Sequence, residues 1–263
     1  MEKREDRKME ALTRKPLQGV ANIIRFNWHF YAIAFVFVSS ILIFKNYLPY
    51  RFQFTALVFA LLIITSTLIS LIVSYYIYDF SNLYLLNWLN NLNIESAESI
   101  VNINAGFDET SYLLKQKFPN ATFDTYDFYD KKKHTEISIE RARKAYPAFP
   151  NTINISTNNV SLNSSSIDYI FLILAAHEIR ENNERINFFN QLLNFLGKDG
   201  KIIVVEHQRD VANFFAFNIG FLHFYSTKNW LQTFTSAELQ VNHQFKITPF
   251  ISTFILSKNG TTS

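Results

Sequence analysis

The chain has 263 residues, no cysteine, 6 glycines and a formal net charge of +3. That length allows one or two domains. The lack of cysteine excludes disulfides, thiolate metal sites and a cysteine nucleophile, and it suits a reducing compartment. So small a net charge gives no case for a nucleic-acid partner.

In chain order, residues 1–28 form a basic segment: Lys3, Arg4, Arg7, Lys8, Arg14, Lys15 and Arg25, partly balanced by Glu2, Glu5, Asp6 and Glu10. Residues 29–80 hold two apolar runs. His29 to Leu48 is free of charge from Phe30 to Phe44, and Phe54 to Tyr78 is longer and uncharged throughout. A helix needs roughly 20 apolar residues to cross the hydrocarbon layer. The second run meets that length, and the first meets it with Asn27, Trp28 and His29 in the headgroup zone. The short link "KNYLPYRF" carries Pro49 and only two basic residues, Lys45 and Arg51, so the runs predict an antiparallel transmembrane hairpin. By the positive-inside rule the N-terminus and everything after Tyr78 are expected in the cytoplasm, giving a two-pass protein of the inner membrane with the lipid bilayer as partner. No small-x-small cleavage site follows Phe44, which argues against a cleaved signal peptide. The competing reading is a pair of core helices in a soluble fold.

Residues 81–94, "SNLYLLNWLNNLNI", predict a connector helix, with Ser81 or Asn82 as its cap. Its wide apolar face suits either the membrane surface or packing on the next domain. From residue 95 to 263 the pattern changes. Short β-branched and aromatic runs alternate with helical stretches near Thr110–Phe118, Lys133–Tyr146, Glu181–Leu196 and Lys228–Ala237. The runs are "IVNI", "ATFDTYD", "NTINIST", "DYIFLIL" and "GKIIVVEH", with "LQVNHQFKI" and "FISTFILSK" closing the chain. Such alternation predicts an α/β fold with a mostly parallel sheet buried on both faces, and the last two runs are placed to pair antiparallel at one edge.

The order and punctuation of these elements resemble a class I S-adenosylmethionine-dependent methyltransferase domain, with a Rossmann-like sheet, closest in flavour to the quinone and sterol methyltransferases. The likeness spans roughly Glu95 to Lys258. Its first landmark is "VNINAGFDETS", where the family has a strand, a glycine-rich loop and a helix. Asp127, at the end of "DTYD" and 21 positions beyond Gly106, stands where the family's acid meets the ribose hydroxyls. Asn158 falls where the family contacts adenine, and "LAAHEIR" follows the fourth strand where substrate- and cofactor-facing residues occur. "FLGKDGKIIVVEH" resembles the turn into the fifth strand. The resemblance implies S-adenosylmethionine as cofactor, with Asn104, Ala105, Gly106 and Asp127 holding its methionine and ribose parts and Asn158 touching adenine. The chain departs from the family at Asn102, Asn104 and Asp108, which replace an acid and two glycines. Asn tolerates left-handed backbone, which suits Asn104 to keep the turn, and Asp108 is a good helix cap.

Methyl transfer needs the acceptor held in line, and a base only where the acceptor must lose a proton. His177 and His207 follow the fourth and fifth strands, at the sheet end where ligands sit in such folds. Each has a carboxylate beside it, Glu178 and Glu206. Neighbouring strand residues point to opposite faces, so these need not be working pairs. His177 is the preferred base and His207 the second candidate. The histidines show no metal-ligand spacing, so no metal is expected. "VANFFAFNIGFLHFY", Val211 to Tyr225, reads either as a lipophilic lid dipping toward the membrane or as a buried helix. Together these features predict a membrane-anchored methyltransferase for a lipophilic acceptor such as a quinone precursor, pigment or lipid. The alternatives are a cofactor-free scaffold or partner protein that kept the fold, and a nicotinamide enzyme, which a loop with one glycine and an anionic Asp108 disfavours. An open cleft between Gly106, Asp127 and Asn158 would support the enzyme, and side chains filling it the scaffold.

Overall fold

A computed structural model of the chain describes residues 14–92, 94 and 97–260; the basic cluster Lys3, Arg4, Arg7 and Lys8 and its acidic neighbours lie outside the described residues. The helices are α1 (Gln18–Phe26), α2 (Trp28–Phe44), α3 (Tyr50–Tyr75), α4 (Ser111–Lys117), α5 (Ile137–Ala145), α6 (Asn182–Leu193), α7 (Val211–Phe217) and α8 (Thr227–Ser236). The strands are β1 (Ser99–Asn104), β2 (Thr122–Asp127), β3 (Ile153–Asn154), β4 (Ile167–Ile173), β5 (Leu196–His207), β6 (Leu239–Thr248) and β7 (Ile251–Lys258).

The strands form one seven-stranded sheet in the order β3-β2-β1-β4-β5-β7-β6. β1 pairs in parallel with β2 and β4, and β4 with β5, while β7 runs antiparallel to both β5 and β6. The expected antiparallel edge is therefore present. Alternate residues of the central strands feed two cores, because successive side chains point to opposite faces. Val101, Ile103, Ile170, Leu172, Ile202 and Val204 join Phe188, Phe189, Trp230 and Phe234 on one side. Ile100, Phe171, Ile173, Ile203 and Val205 join Leu114 and Phe118 on the other, together with Ile77, Leu83, Leu86, Trp88 and Leu89. The segment leaving the hairpin thus packs on the sheet. It does so as turns and a 3-10 helix, Asn87–Leu92, rather than as the expected α-helix. Ser81 bonds back to the Ile77 carbonyl at 2.6 Å instead of capping a new helix, Leu86 takes φ 55°, and the Trp88 indole donates to the Leu83 carbonyl at 3.1 Å. Burying Leu83, Leu86 and Leu89 on the sheet outweighs the local helical pattern.

Among the described residues, two stretches are long and apolar enough to cross a membrane: Trp28–Tyr47, 20 residues with mean hydropathy 1.6, and Tyr50–Phe80, 31 residues with mean hydropathy 2.7. No described residue of α2 is buried, and α3 buries only Ala60 and Ser74. Phe35, Val36, Phe37, Leu61 and Ile72 stand exposed. Core helices of a soluble protein would cover such side chains, and an uncovered apolar surface this large marks an interaction site.

The hairpin is locked to the domain by its last turn. Asp79, in the π-helical turn Tyr76–Phe80, accepts the Gly19 and Val20 amides at 2.7 and 2.8 Å, placing a carboxylate on the first turn of α1. A Cβ on Gly19 would lie 2.4 Å from the Tyr78 Cβ, so only glycine allows this approach. Gly19→Ala is expected to lower stability by about 1–3 kcal/mol through overpacking. In an unconstrained helix the same change would stabilise by about 0.8–1.0 kcal/mol, so a lowered thermal midpoint reports the contact and a raised one removes it.

Candidate active site

The loop after β1 keeps its shape without the missing glycines. Asn104 does so through its side chain and not through left-handed backbone: its amide donates to the Tyr126 carbonyl at 3.0 Å, and its oxygen accepts the Gly106 amide at 3.0 Å. Gly106 supplies the positive φ, 96°. Asp108 accepts from the Thr110 and Ser111 amides at 3.0 and 2.9 Å, tying the loop to the start of α4, whose N-cap position is Thr110 rather than the expected Asp108. Burial pushes the Asp108 carboxyl up, against hydrogen bonds from Ser111 and Thr110 that pull it down. Asn102 donates to Thr110 Oγ1 and Ser111 Oγ at 3.0 and 2.7 Å. Asn102 Oδ1 and Asp108 Oδ2 are buried acceptors with no partner among the described residues.

Asp127 lies buried at the carboxyl end of β2. Its Oδ2 accepts from Arg143 Nη1 at 2.5 Å, and the same nitrogen reaches the Gly106 carbonyl at 3.2 Å. Arg143 also stacks on Tyr129, with the guanidinium carbon 4.4 Å from the ring centroid. Only a cavity of about 70 Å³ remains between Asn104, Gly106, Asp108, Asp127 and Tyr146. Asn158 is exposed and lines neither this cavity nor the larger one, so the structure does not bring it to Gly106 and Asp127. Strand β3 ends beside Asp127, with Asn154 paired to it and the Ile155 amide donating to its carbonyl, and Asn158 lies in the exposed turn that follows.

The larger cavity, about 800 Å³, opens on the other side of the same loop. Its walls include Asn104, Ala105 and Glu109 from the loop, His177, Glu178 and His207 from the sheet end, and Tyr31, Ser66 and Ser70 from the apolar hairpin. Phe217, Ile219 and Phe224 close one flank. Val211, Phe215 and Ile219 of the same segment stand mostly exposed beside the hairpin. α7 and the 3-10 turn Asn218–His223 therefore form an aromatic lip rather than a buried helix. Two residues bordering the cavity hold strained backbone, Leu174 with φ 53° and Asn218 with φ 50°. Strain of this kind, roughly 1–3 kcal/mol each, is held where the surroundings demand an orientation. Leu174 turns β4 into the His177 turn.

His177 and His207 differ in what they can do. The His177 backbone amide donates to Glu206 Oε1 at 3.1 Å and its Nδ1 meets Glu206 Oε2 at 2.7 Å, leaving Nε2 toward Glu178 at 3.1 Å. Burial pulls the His177 imidazole down, but Glu206 and Glu178 outweigh it and raise it well above the ordinary histidine range. Burial likewise opposes ionisation of Glu178, yet hydrogen bonds from His177 and His223 hold it well below the usual carboxylate range. His207 uses both nitrogens structurally: Nδ1 bonds Asn213 Oδ1 at 3.0 Å and Nε2 the Tyr78 hydroxyl at 2.8 Å. Its ring stacks on Phe224 at 4.5 Å. Burial brings it down to about 4, so it stays neutral and has no free nitrogen for catalysis. The expected second base is instead a strut joining the hairpin to β5.

Three comparisons bear on the fold. No protein-family model matches the chain, and no curated protein sequence matches it. Among solved structures, a mitomycin 7-O-methyltransferase aligns with TM-score 0.53 and 11% identity over 94% of this chain and 74% of its own. The N,N-8-amino-8-demethyl-D-riboflavin dimethyltransferase of Streptomyces davawensis aligns with TM-score 0.50 and 8% identity over 72% of this chain and 56% of its own. The fold is that of the class I methyltransferases. Within that methyltransferase fold, Glu109, Arg14 and Tyr84 form a half-buried group that the sequence did not single out. Arg14 Nη1 reaches Glu109 Oε1 at 2.6 Å and the Tyr84 hydroxyl donates to Oε2 at 2.9 Å. His223 and Glu136 were missed as well. Both sit in segments whose aromatic or basic character dominates the pattern, and no spacing rule links them to His177.

Proposed function

We propose that the protein is a membrane-anchored methyltransferase that uses S-adenosylmethionine to methylate a lipophilic acceptor. The observation that carries this is the single cavity of about 800 Å³ joining the β1 loop, His177 and the apolar hairpin. Its size lies within the range of small-molecule sites. Lining side chains from the candidate spans let an acceptor dissolved in the bilayer reach the sheet end without crossing water. The hairpin is read as two membrane passes, with the domain on the cytoplasmic side.

The methionine side fits the cofactor, whereas the cleft between Gly106 and Asp127 is filled by Arg143, the arrangement expected of the scaffold reading. Asp108 Oδ2 and Asn102 Oδ1, buried and unpartnered, are acceptors of the kind an α-ammonium group needs. Asn104 and Ala105 hold the methionine side. Asp127 takes the ribose hydroxyls once Arg143, whose side chain is one-third exposed (34%), turns outward. Asn158 contributes only if its loop folds inward over adenine. When bound, S-adenosylmethionine supplies a sulfonium methyl group for displacement by the acceptor. Once His177 has lost its Nε2 proton and turned from Glu178, that nitrogen accepts the acceptor's proton, while Glu206 fixes Nδ1 and stabilises the imidazolium formed. The aromatic lip excludes water from the acceptor.

Calorimetry of the detergent-solubilised protein tests this reading. S-Adenosylhomocysteine is expected to bind at a single site in the micromolar range; no heat at up to about millimolar ligand, where binding would be worth only about 4 kcal/mol, would overturn it.

A further inference from the structure

We infer that His177, Glu178 and His223 form a binding site for a first-row divalent metal ion on the wall of the large cavity. One ligand-type atom from each of the three residues lies within 4.8 Å of the others. His177 Nε2 stands 3.1 Å and His223 Nε2 3.3 Å from the same oxygen, Glu178 Oε1. Ligand atoms at about 2.0–2.2 Å from a cation lie roughly 3 Å apart, so this is the spacing of neighbouring ligands around one ion. Two imidazoles and one carboxylate with positions left open are a donor set for zinc, iron, cobalt or manganese.

The surroundings carry the inference further than the three ligands do. Each histidine has its other nitrogen on a separate carboxylate: His177 Nδ1 on Glu206 at 2.7 Å and His223 Nδ1 on Glu136 at 2.7 Å. Carboxylates behind ligand histidines orient the ring and make it a stronger ligand. Three carboxylates stand against Arg180 and the His177 imidazolium, and a divalent ion would displace the His177 proton and take its place in that balance. Arg180 donates to the His223 carbonyl at 2.6 Å and lies against both His223 ring nitrogens, Nδ1, which it shares with Glu136, and Nε2 at 3.0 Å. Its side chain is 40% exposed, and it yields Nε2 to the ion while keeping the carbonyl. The three ligands come from the turn after β4 and from the end of the aromatic lip, so an ion would tie the lip to the sheet. All three line the large cavity, so the ion's open positions face the acceptor. With the ion in place, an acceptor oxygen meets a Lewis acid where the metal-free protein presents the His177 base. The site stands on its own geometry and does not depend on the methyl-transfer reading.

The test uses full-length protein in detergent, purified without a histidine tag, stripped with EDTA and titrated with CoCl2 and with ZnCl2. One equivalent of either ion is expected to bind, with a visible Co2+ ligand-field band and displacement of Co2+ by Zn2+. His223→Ala and Glu178→Gln are expected to abolish the band. Glu136→Gln, at a 40% exposed side chain that the fold does not need, should weaken binding by roughly 10–100-fold by loosening His223. His243→Ala, at an exposed histidine on β6, should change nothing. Thermal unfolding of each variant establishes that it is folded. No binding by the parent protein, or an unchanged Co2+ band in folded His223→Ala and Glu136→Gln, overturns the site. S-Adenosylhomocysteine titrated into the same stripped samples separates this outcome from failure of the methyltransferase reading.

Discussion

His177→Gln is expected to lower methyl transfer by about 10²–10⁴-fold, the usual worth of a positioned acid or base, while the affinity for S-adenosylhomocysteine changes little. The reason is local. Glu206 takes the Nδ1 side at 2.7 Å and Glu178 Oε1 lies 3.1 Å from Nε2, so Nε2 becomes the working nitrogen once it has lost its proton and left Glu178. Glutamine fills the space but takes up no proton. A pH profile recorded with EDTA present adds a sign. The carboxylates of Glu206 and Glu178 raise the His177 imidazole well above its ordinary range, and His223 and the neutral His207 are the other titratable groups facing it. A base must be deprotonated, so activity should rise with pH through that raised value and fall away on the acid side. Glu178→Gln removes one of the charges that raise it, and the rising limb should move toward lower pH. A limb that stays in place in that variant, or near-full activity in His177→Gln, would take the base role away from His177.

The second large effect concerns the ribose acid and has opposite signs at two neighbouring residues. Asp127→Ala is expected to weaken S-adenosylhomocysteine binding by roughly 10–100-fold, since hydrogen bonds to a charged group are worth about 1.5–3 kcal/mol. Arg143→Ala is expected to tighten it. Arg143 holds the Asp127 carboxylate at 2.5 Å and reaches the Gly106 carbonyl, so the ligand must displace it. Removing the competitor lowers that cost. Gly106 shows how tight the space is, because a Cβ there would lie 2.9 Å from Arg143 Nη1 and 2.9 Å from Tyr129 Cδ2. Calorimetry on the two variants measures both signs. If both weaken binding equally, Asp127 serves Arg143 rather than the ribose.

The contrast between Asp127 and Asn158 shows how far spacing reaches. Asp127 ends a regular strand paired to β1 over its whole length, so its position relative to Gly106 is fixed by register. Asn158 lies beyond a strand of two residues, in a loop held by its own turns, and counting along the chain does not locate it. The same holds for the histidines. Glu206 and His207 are adjacent in β5, yet they point to opposite faces, one to His177 and the other to Tyr78. Only the packing of the hairpin's last turn against β5 decides that His207 becomes a strut.

The sequence by itself determined the alternation of strands and helices, the apolar length of the two hairpin runs, the turn at Gly106 and the acid at the end of β2. These depend on periodicity and on the conformational limits of single residues, which act over a few positions. The tertiary structure decided the rest. It placed Arg143 on Asp127, and it gathered Glu136, His177, Glu178, Glu206 and His223 into one cluster at the mouth of a cavity that the hairpin helps to enclose. Those groups come from four separate segments, and what unites them is the crossing of chain ends at the carboxyl edge of the sheet, which no local pattern encodes.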